Sequence, residues 1–455
     1  MIHCYKMGEY NIILDIASGS IHNVDDVAFD VISMYEQSSL DEIIKLVKMK
    51  YPKLTDDEIN ELFSEIEQLK SSGKLFADDA FAPSAAINQK VTIKALCMNV
   101  AHVCNMRCAY CFAGRGEYGG GDELMSLDVG KRAIDFLVEN SDGRRNLDVD
   151  FFGGEPLLNW EVVKAIVAYA REIEKVKGKN FRFTFTTNGL MLDDEVMSFL
   201  NQEIHNVVLS LDGRPEVNDF YRVKADGSGS YAEIVDKYKK IVEVRKGKGY
   251  YIRGTITRKN LDFVNDILHL ADLGFKEISL EPVVAKPGEE YGLTMDDLPD
   301  LSRQYEILAT EMLRREKQKR GFSFYHFNLD LTGGPCIHKR IAGCGVGTEY
   351  LAVTPSGSLY PCHQFVGEEK FVIGNIWQGI TNNELRSEFS GWDIYSRAKC
   401  KDCWAKMYCA GGCAANAYND VGSIGAVYEL GCEIFKKRLE CAIMLKISQT
   451  LYLRV

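Results

Sequence analysis

Over the first 80 positions, apolar residues come in short runs cut by small polar clusters. Tyr10–Ile16 (YNIILDI) reads as a strand, Ala17-Ser18-Gly19-Ser20 as a turn and Ile21–Val24 as a second short strand. Asp25 or Asp26 is placed to cap a helix running to about Gln37. Leu40–Lys50 follows with Ile43, Ile44 and Val47 at helical spacing. Thr55-Asp56-Asp57-Glu58 is a helix-start signature, and Ile59, Leu62, Ile66 and Leu69 give that helix one apolar face. Two or three strands with three helices outline a winged-helix module at residues 1–80, and the polar, small-residue stretch around 81–90 reads as a linker.

From Val91 to about Gly321 the pattern becomes alternating strands and helices. The expected strands are Thr92–Val100, Leu147–Phe152, Phe181–Thr186, Asn206–Leu211, Tyr250–Thr257 and Glu277–Leu280. Helical segments fall near 126–140, 159–175, 193–202, 231–246 and 260–272. Six such units predict an α/β fold with a parallel sheet and helices outside, a partial (β/α)6 TIM-like barrel over residues 91–325. Turn residues cluster after the strands, at Gly153-Gly154, Asn188-Gly189 and Asp212-Gly213. Ligands bind at the C-terminal ends of strands in such sheets. Residues 326–455 are rich in Cys and Gly, with little long periodicity before a last helix near Glu433. A region of that kind folds around metal, whose ligands replace part of a core.

Composition narrows the functions available. With 46 % hydrophobic and 26 % charged residues the chain is an ordinary globular one. No apolar run approaches the ~18 residues that span a bilayer, and Met1–Tyr10 has no signal-peptide pattern, so the expected location is the cytoplasm. The net charge of −11 argues against nucleic acid. Residues 1–80 carry 16 Asp/Glu against 7 Lys/Arg, an acidic surface suited either to solvent or to a basic partner. There are 14 cysteines, none between Cys111 and Cys336. In a reducing cytosol that usage points to metal or catalysis, not disulfides.

Cys104, Cys108 and Cys111 form C-x3-C-x2-C directly after the first barrel strand (VCNMRCAYCFAG). Three thiolates on one loop suit three irons of a [4Fe–4S] cube and leave the fourth for a non-protein ligand, whereas a structural zinc usually takes four protein ligands. With Tyr110 and Phe112 around the last cysteine, the loop resembles the signature of the radical SAM superfamily. The resemblance implies S-adenosylmethionine (SAM) on the open iron and its reductive cleavage to methionine and a 5′-deoxyadenosyl radical. Gly153-Gly154-Glu155-Pro156 resembles the family's GGEP segment, where glycines let backbone approach a ligand and Glu155 accepts hydrogen bonds from the SAM ammonium. Thr187-Asn188-Gly189 closes the third strand and Ser210-Leu211-Asp212-Gly213 the fourth. Arg222 resembles a family arginine that pairs with the SAM carboxylate. The cofactor-binding candidates are thus Phe112, Gly153, Gly154, Glu155, Asn188, Ser210 and Arg222.

The remaining cysteines are patterned too. Cys344-x12-Gly357-x4-Cys362 precedes Cys400-x2-Cys403-x5-Cys409-x3-Cys413 and Cys432. This resembles the seven-cysteine SPASM domain, whose members carry two auxiliary [4Fe–4S] clusters, three clusters in all. The resemblance assigns Cys344, Cys362 and Cys413 to the first auxiliary cluster and Cys400, Cys403, Cys409 and Cys432 to the second. Cys336, separated from Cys344 by seven residues, either completes the first set or leaves an iron open. Cys4, Cys97 and Cys441 read as small buried hydrophobes.

The whole arrangement, including MIHCYKMGEYNIILDIASG at the start, resembles the maturases of SCIFF peptides, short peptides with six cysteines. That resemblance implies cysteine sulfur to α-carbon thioethers in a ribosomally made precursor. Residues 1–80 would bind a basic leader by strand addition, and an external donor would supply single electrons. A sulfatase-type maturase that makes formylglycine is the alternative. Relatives of that kind carry Asp after the cysteine equivalent to Cys362, and here His363 and Gln364 stand there. A non-enzymatic iron–sulfur or zinc scaffold is the reading from another class. It gives no reason for Glu155, Ser210 and Arg222 at strand ends.

Overall fold

The computed structural model describes residues 1–79, 92–331 and 337–452. The 81–90 linker and Cys336 therefore lie outside the described residues.

The N-terminal module opens with an antiparallel sheet in the order β1 (Ile2–Met7), β2 (Tyr10–Asp15), β3 (Ile21–Val24). Three helices follow: α1 (Asp26–Met34), α2 (Leu40–Lys50) and α3 (Asp56–Ser71). Asp25 caps α1, and full capping boxes start α2 (Ser39 with Glu42) and α3 (Thr55 with Glu58). β1 was not expected, and it explains why β2 is apolar on both sides. Ile13 faces the module's helices with Val31, Ile43, Ile59 and Ile66, while Ile12 and Leu14 join the core of the main body. The small sheet is buried on both faces, so its middle strand loses the alternation of a solvated sheet.

The body is an 11-stranded sheet. Its parallel strands are β4 (Ala95–Ala101), β5 (Asn146–Gly153), β6 (Asn180–Thr187), β7 (Asn206–Ser210), β8 (Tyr250–Ile256) and β9 (Glu277–Pro282). They alternate with α4 (Leu127–Glu139), α5 (Trp160–Lys177), α6 (Asp194–Glu203), α7 (Pro215–Tyr221), α8 (Tyr231–Arg245), α9 (Val264–Asp272) and α10 (Leu298–Lys317). α7 and α10 were missed from sequence, and the first strand begins at Ala95, not Thr92, because Lys94 is taken up by Glu349.

The sheet does not stop at six strands. β10 (Ser323–Phe324) adds to β9, and after α11 (Ile337–Ala342) the Cys-rich region contributes β11 (Tyr350–Val353), parallel to β4. A meander of β12 (Ser358–Tyr360), β13 (Gly374–Asn375) and β14 (Gly379–Ile380) continues from it. These strands of two to four residues carry too little periodicity to be read in advance. The chain ends with α12 (Asn383–Ser390), α13 (Ala398–Lys401), α14 (Lys406–Cys409), α15 (Ala414–Val421) and α16 (Glu429–Tyr452). α16 runs between α10 and β1 and buries residues on several sides, among them Ile434, Leu439, Ala442 and Leu445.

The sheet curls. β8 and β12, which ends three residues before His363, would stand about 29 Å apart in a flat sheet, at ~4.8 Å per strand. Yet the Arg253 guanidinium of β8 acts electrostatically on the His363 ring. Alternate strand positions face helices or lumen. Leu96, Met98, Val149, Phe151, Ile252, Ile278 and Leu280 join the helix-side core. Strand register then sets Cys97, Asp150 and Thr184 side by side on the inner face, with Ser210, Arg253 and Ser279 in another row.

Candidate active site

The loop after β4 carries Cys104, Cys108 and Cys111, and it is stapled from two sides. On one side Arg107 N–H donates to Val223 O (2.8 Å) and Ala109 N–H to Tyr221 O (3.2 Å). On the other the end of β5 lies against it, with Gly154 N–H donating to Ala101 O (2.7 Å) and Glu155 N–H to Val103 O (2.9 Å). That approach requires glycine. A Cβ on Gly153 would sit 2.3 Å from Ala101 O, and one on Gly154 2.1 Å from Val103 O.

Cys104 Sγ accepts from Met106 N–H (3.4 Å) and from Asn188 Nδ2 (3.7 Å). Burial pushes its thiol up to about 12 and raises that of Cys108 too, against the pull of the nearby Arg222. Left alone these thiols stay protonated, and a bound metal cation is what turns such groups into thiolates.

Glu155 is 1 % exposed. Its Oε1 accepts from Leu157 N–H and Thr187 Oγ1–H, and its Oε2 from Asn188 N–H (2.8 Å). Burial lifts the carboxyl to about 7 in spite of these bonds. Glu155 thus ties the ends of β5 and β6 together and keeps acceptor capacity on Oε2.

Arg222, 8 % exposed, ends α7. Its Nη1 donates to Tyr110 Oη (3.1 Å), and Tyr110 O–H donates to Asp212 Oδ2 (2.6 Å). Burial raises the Asp212 carboxyl to about 6, while its Oδ1 accepts from Thr255 N–H. Arg222 Nε is buried with no hydrogen-bond partner, an unsatisfied cationic donor beside Cys108. The Tyr110–Asp212 half of this network was not singled out from sequence. Its signal was present in the aromatic inside the cysteine loop and the acid at the end of β7. Ser210 lies on the inner face of β7, next to Arg253 in register. Phe112, 52 % exposed, presents a face parallel to Phe152, with the His363 ring 5.6 Å away.

The C-terminal cysteines fall into two neighbourhoods. Cys344, Cys362 and Cys413 lie within electrostatic reach of one another, and burial drives the Cys362 and Cys413 thiols upward. Cys400, Cys403, Cys409 and Cys432 line a single cavity of ≈ 580 Å³. Burial lifts Cys409 to about 12 and Cys432 to about 11, and Cys400 and Cys403 raise both further. His363, next to Cys362, bonds Tyr350 through Nδ1 (3.2 Å) and is held neutral by burial, down to about 4. Cys97 and Cys441 are buried and Cys4 is partly so. Among the described residues no three His, Cys, Asp or Glu side chains gather to hold a single metal ion. A cube takes one thiolate per iron and needs no common point.

The residues present fit an iron–sulfur cube with a SAM beside it. Three thiols share one loop, a backbone cradle excludes every Cβ, and a buried guanidinium nitrogen stands without an acceptor.

Comparisons with known proteins agree. The radical SAM superfamily profile matches residues 98–270, and the SPASM profile, an iron–sulfur cluster-binding domain, matches 344–404. The chain is 22 % identical to the radical SAM cyclopropyl synthase TigE of Paramaledivibacter caminithermalis, over 76 % of this chain and 72 % of that protein. It is 25 % identical to a cysteine-type anaerobic sulfatase-maturating enzyme of Clostridium novyi, over 74 % and 91 %. The solved structure of native anSMEcpe with bound AdoMet and Cp18Cys peptide superposes with a TM-score of 0.65 at 22 % identity, covering 79 % of this chain and all but 1 % of that one. With its cysteine loop, glycine cradle and second cysteine-rich domain accounted for, the chain carries a radical SAM domain over residues 98–270 and an iron–sulfur cluster-binding SPASM domain over residues 344–404, and it is a radical SAM enzyme.

Proposed function

We propose that this enzyme joins a cysteine sulfur to the α-carbon of another residue in a ribosomally made, cysteine-rich precursor peptide, in the cytoplasm. The observation that carries the reading is the N-terminal module and where it rests. The His3 ring stacks on Trp404 at 3.6 Å, His3 Nε2 meets Glu440 (3.0 Å), and Tyr5 O–H donates to Glu440 O. Asp79 pairs with the buried Lys406 (2.9 Å). A peptide held on this module is held next to the Cys-rich domain. β3 has no second strand neighbour among the described residues, so its outer edge offers a leader the main-chain pairing of an added strand.

In this reading Cys104, Cys108 and Cys111 ligate the SAM-binding cluster. Cys344, Cys362 and Cys413 hold the first auxiliary cluster and Cys400, Cys403, Cys409 and Cys432 the second, three clusters in all, with Cys336 either completing the first set or leaving one of its irons open. When bound, the cluster and SAM supply a one-electron cleavage that yields the deoxyadenosyl radical, the electron coming from an external donor. The protein's share is placement. Gly153 and Gly154 admit backbone to the methionine end of SAM, and Glu155 Oε2 accepts from its ammonium. Arg222 supplies its free Nε–H to the carboxylate, Asn188 fixes Cys104, Ser210 lines the pocket and Phe112 offers an aromatic face. Hydrogen balance is simple: one hydrogen leaves the α-carbon, one proton leaves the thiol, and one electron passes to an acceptor as the carbon–sulfur bond closes.

A formylglycine-forming sulfatase maturase is the second reading, favoured by the Clostridium novyi relative, of which this chain covers 91 %. Against it stands His363, half-buried and packed against Phe112, Phe152 and Tyr350, where relatives of that kind have Asp. Mass spectrometry separates the two. A synthetic six-cysteine precursor with a lysine-rich leader, incubated anaerobically with holoenzyme, SAM and dithionite, is expected to lose two hydrogens per crosslink, with fragmentation locating a thioether. An aldehyde at one cysteine establishes the second reading, and an unchanged peptide defeats both.

A further inference from the structure

Three side chains stand in one row on the inner face of the sheet: Ser210 of β7, Arg253 of β8 and Ser279 of β9, each opposite the next in register. Ile252 and Ile256 join the helix-side core, so alternation turns Arg253 to the lumen. It is exposed there, and it makes no hydrogen bond or ion pair among the described residues. Its charge acts instead on two rings, His326 beside β9 and His363 next to Cys362. Strands lie about 4.8 Å apart, which puts a short hydroxyl within reach of the guanidinium on either side.

The acids at this end of the strands are engaged elsewhere. Glu281 meets His326 Nε2 (3.4 Å) and Arg438 (3.4 Å). Asp212 accepts from Tyr110 O–H and Thr255 N–H, with the Arg222 charge acting on it. Asp150 lies three strands away on β5 and is bonded to Thr184. The hydroxyls, by contrast, have hydrogens to give. Glu281 accepts, so the His326 Nε2 it shares with Ser279 carries the ring proton. Ser279 Oγ (3.2 Å) then accepts too, and its own O–H is left over. Ser210 Oγ has no partner among the described residues. The row is thus a guanidinium between two hydroxyl donors, and what completes it is an acceptor with negative charge. A planar fork of N–H groups matches a carboxylate in both shape and sign.

The position of the row narrows whose carboxylate that is. Ser210 marks the side proposed for SAM, and His363 follows a cysteine proposed for the first auxiliary cluster. Arg253 stands between the two, where a reacting peptide has to lie. The geometry points to Arg253 as a specificity-determining residue, which holds a carboxylate of the substrate peptide, an Asp or Glu side chain or the C-terminus, beside the residue that reacts. The inference rests on the peptide reading above and adds what the lumen selects. An acidic module for the leader and a basic lumen for the reacting end present opposite signs, and so fix the direction in which the peptide lies.

Competition in the full-length holoenzyme tests it. The probe is an equimolar set of six-cysteine precursors with a lysine-rich leader, each with one Asp at a different position of the cysteine-rich part, together with their Asn counterparts and C-terminal amides. Mass spectrometry of the mixture reads relative kcat/KM. Asp at one position or more is expected to beat Asn about tenfold, which names a side chain as the source, or the free C-terminus to beat the amide by as much, which names the terminus. Arg253→Met is expected to abolish the preference, and Arg253→Lys, which keeps the charge without the fork, to lose most of it. Ser279→Ala, a smaller change, is expected to weaken it about threefold. A parent enzyme with no preference for acid, or a preference that survives in Arg253→Met, overturns the anchor and leaves the thioether reading standing. A preference that depends on Arg253 with an aldehyde product keeps the anchor and overturns the thioether. The KM for SAM is measured without peptide, as deoxyadenosine formed. A rise there as large as the loss with peptide puts Arg253 on the cofactor and overturns the anchor. A mixture left unmodified by the parent enzyme overturns both.

Discussion

Arg222 shows how much one side chain carries here. It is buried against Tyr110, Asp212 and Cys108 and has one nitrogen without an acceptor. A lysine keeps the charge but has no second nitrogen to span Tyr110 and a carboxylate together. Arg222→Lys is therefore expected to raise the KM for SAM about tenfold or more, read as deoxyadenosine formed against SAM concentration, with the peptide KM little changed. The arginine itself was legible in the sequence through its resemblance to a family arginine. Its partners were not, because Tyr110 and Asp212 lie 102 positions apart and only the meeting of loop and strand end joins them.

Elements impose their own constraints. At Gly153 and Gly154 the end of β5 meets the cysteine loop backbone to backbone, so Gly154→Ala must displace Val103 and with it Cys104. Such a displacement is expected to cut SAM cleavage about a hundredfold and to lower iron content, measured together on the same preparation. α10 illustrates charge at this scale. Glu311 is hydrogen-bonded by Arg314 and also by Arg315, which pull its carboxyl down to about 2. A depressed carboxylate stabilises the fold above its unfolded value of about 4.3 and loses that contribution as pH falls toward the folded value. Thermal melts should show Glu311→Gln lowering stability near neutrality, with the difference from the parent protein shrinking as pH falls from about 4.3 toward about 2, which flattens the acid-side fall. Helices with strong caps and single apolar faces, α2 and α3 above all, were readable in advance. β10 to β14 were not, since two to four residues give no period to detect.

At the scale of the whole molecule, the clusters and the module define separate tests. The proposed three cubes would give about twelve irons per chain, and replacing Cys104, Cys108 and Cys111 together by alanine should then leave about eight while abolishing SAM cleavage. Iron analysis alongside the peptide-free assay checks both. The acidic module predicts a basic leader whose affinity weakens as salt rises, since exposed pairs are screened over about 8–10 Å at physiological ionic strength. Fluorescence anisotropy of a labelled lysine-rich leader on the full chain, at low and high salt, measures it. A salt-independent constant removes the electrostatic part of the account. Among the described residues no helix is long and apolar enough to cross a membrane.

The sequence alone determined the chemistry: thiol spacing, paired glycines and alternating strand–helix periods are local properties, and local spacing decides which residues can share a loop or a strand end. Tertiary structure alone decided the neighbours. It made the cysteine-rich region an extension of the barrel sheet through β11, placed Trp404 beneath His3, and set Arg253 and His363 across one lumen. Those contacts join residues more than a hundred positions apart, and they depend on how a sheet curls and where a last helix finds an uncovered face. No pattern along the chain encodes that by itself.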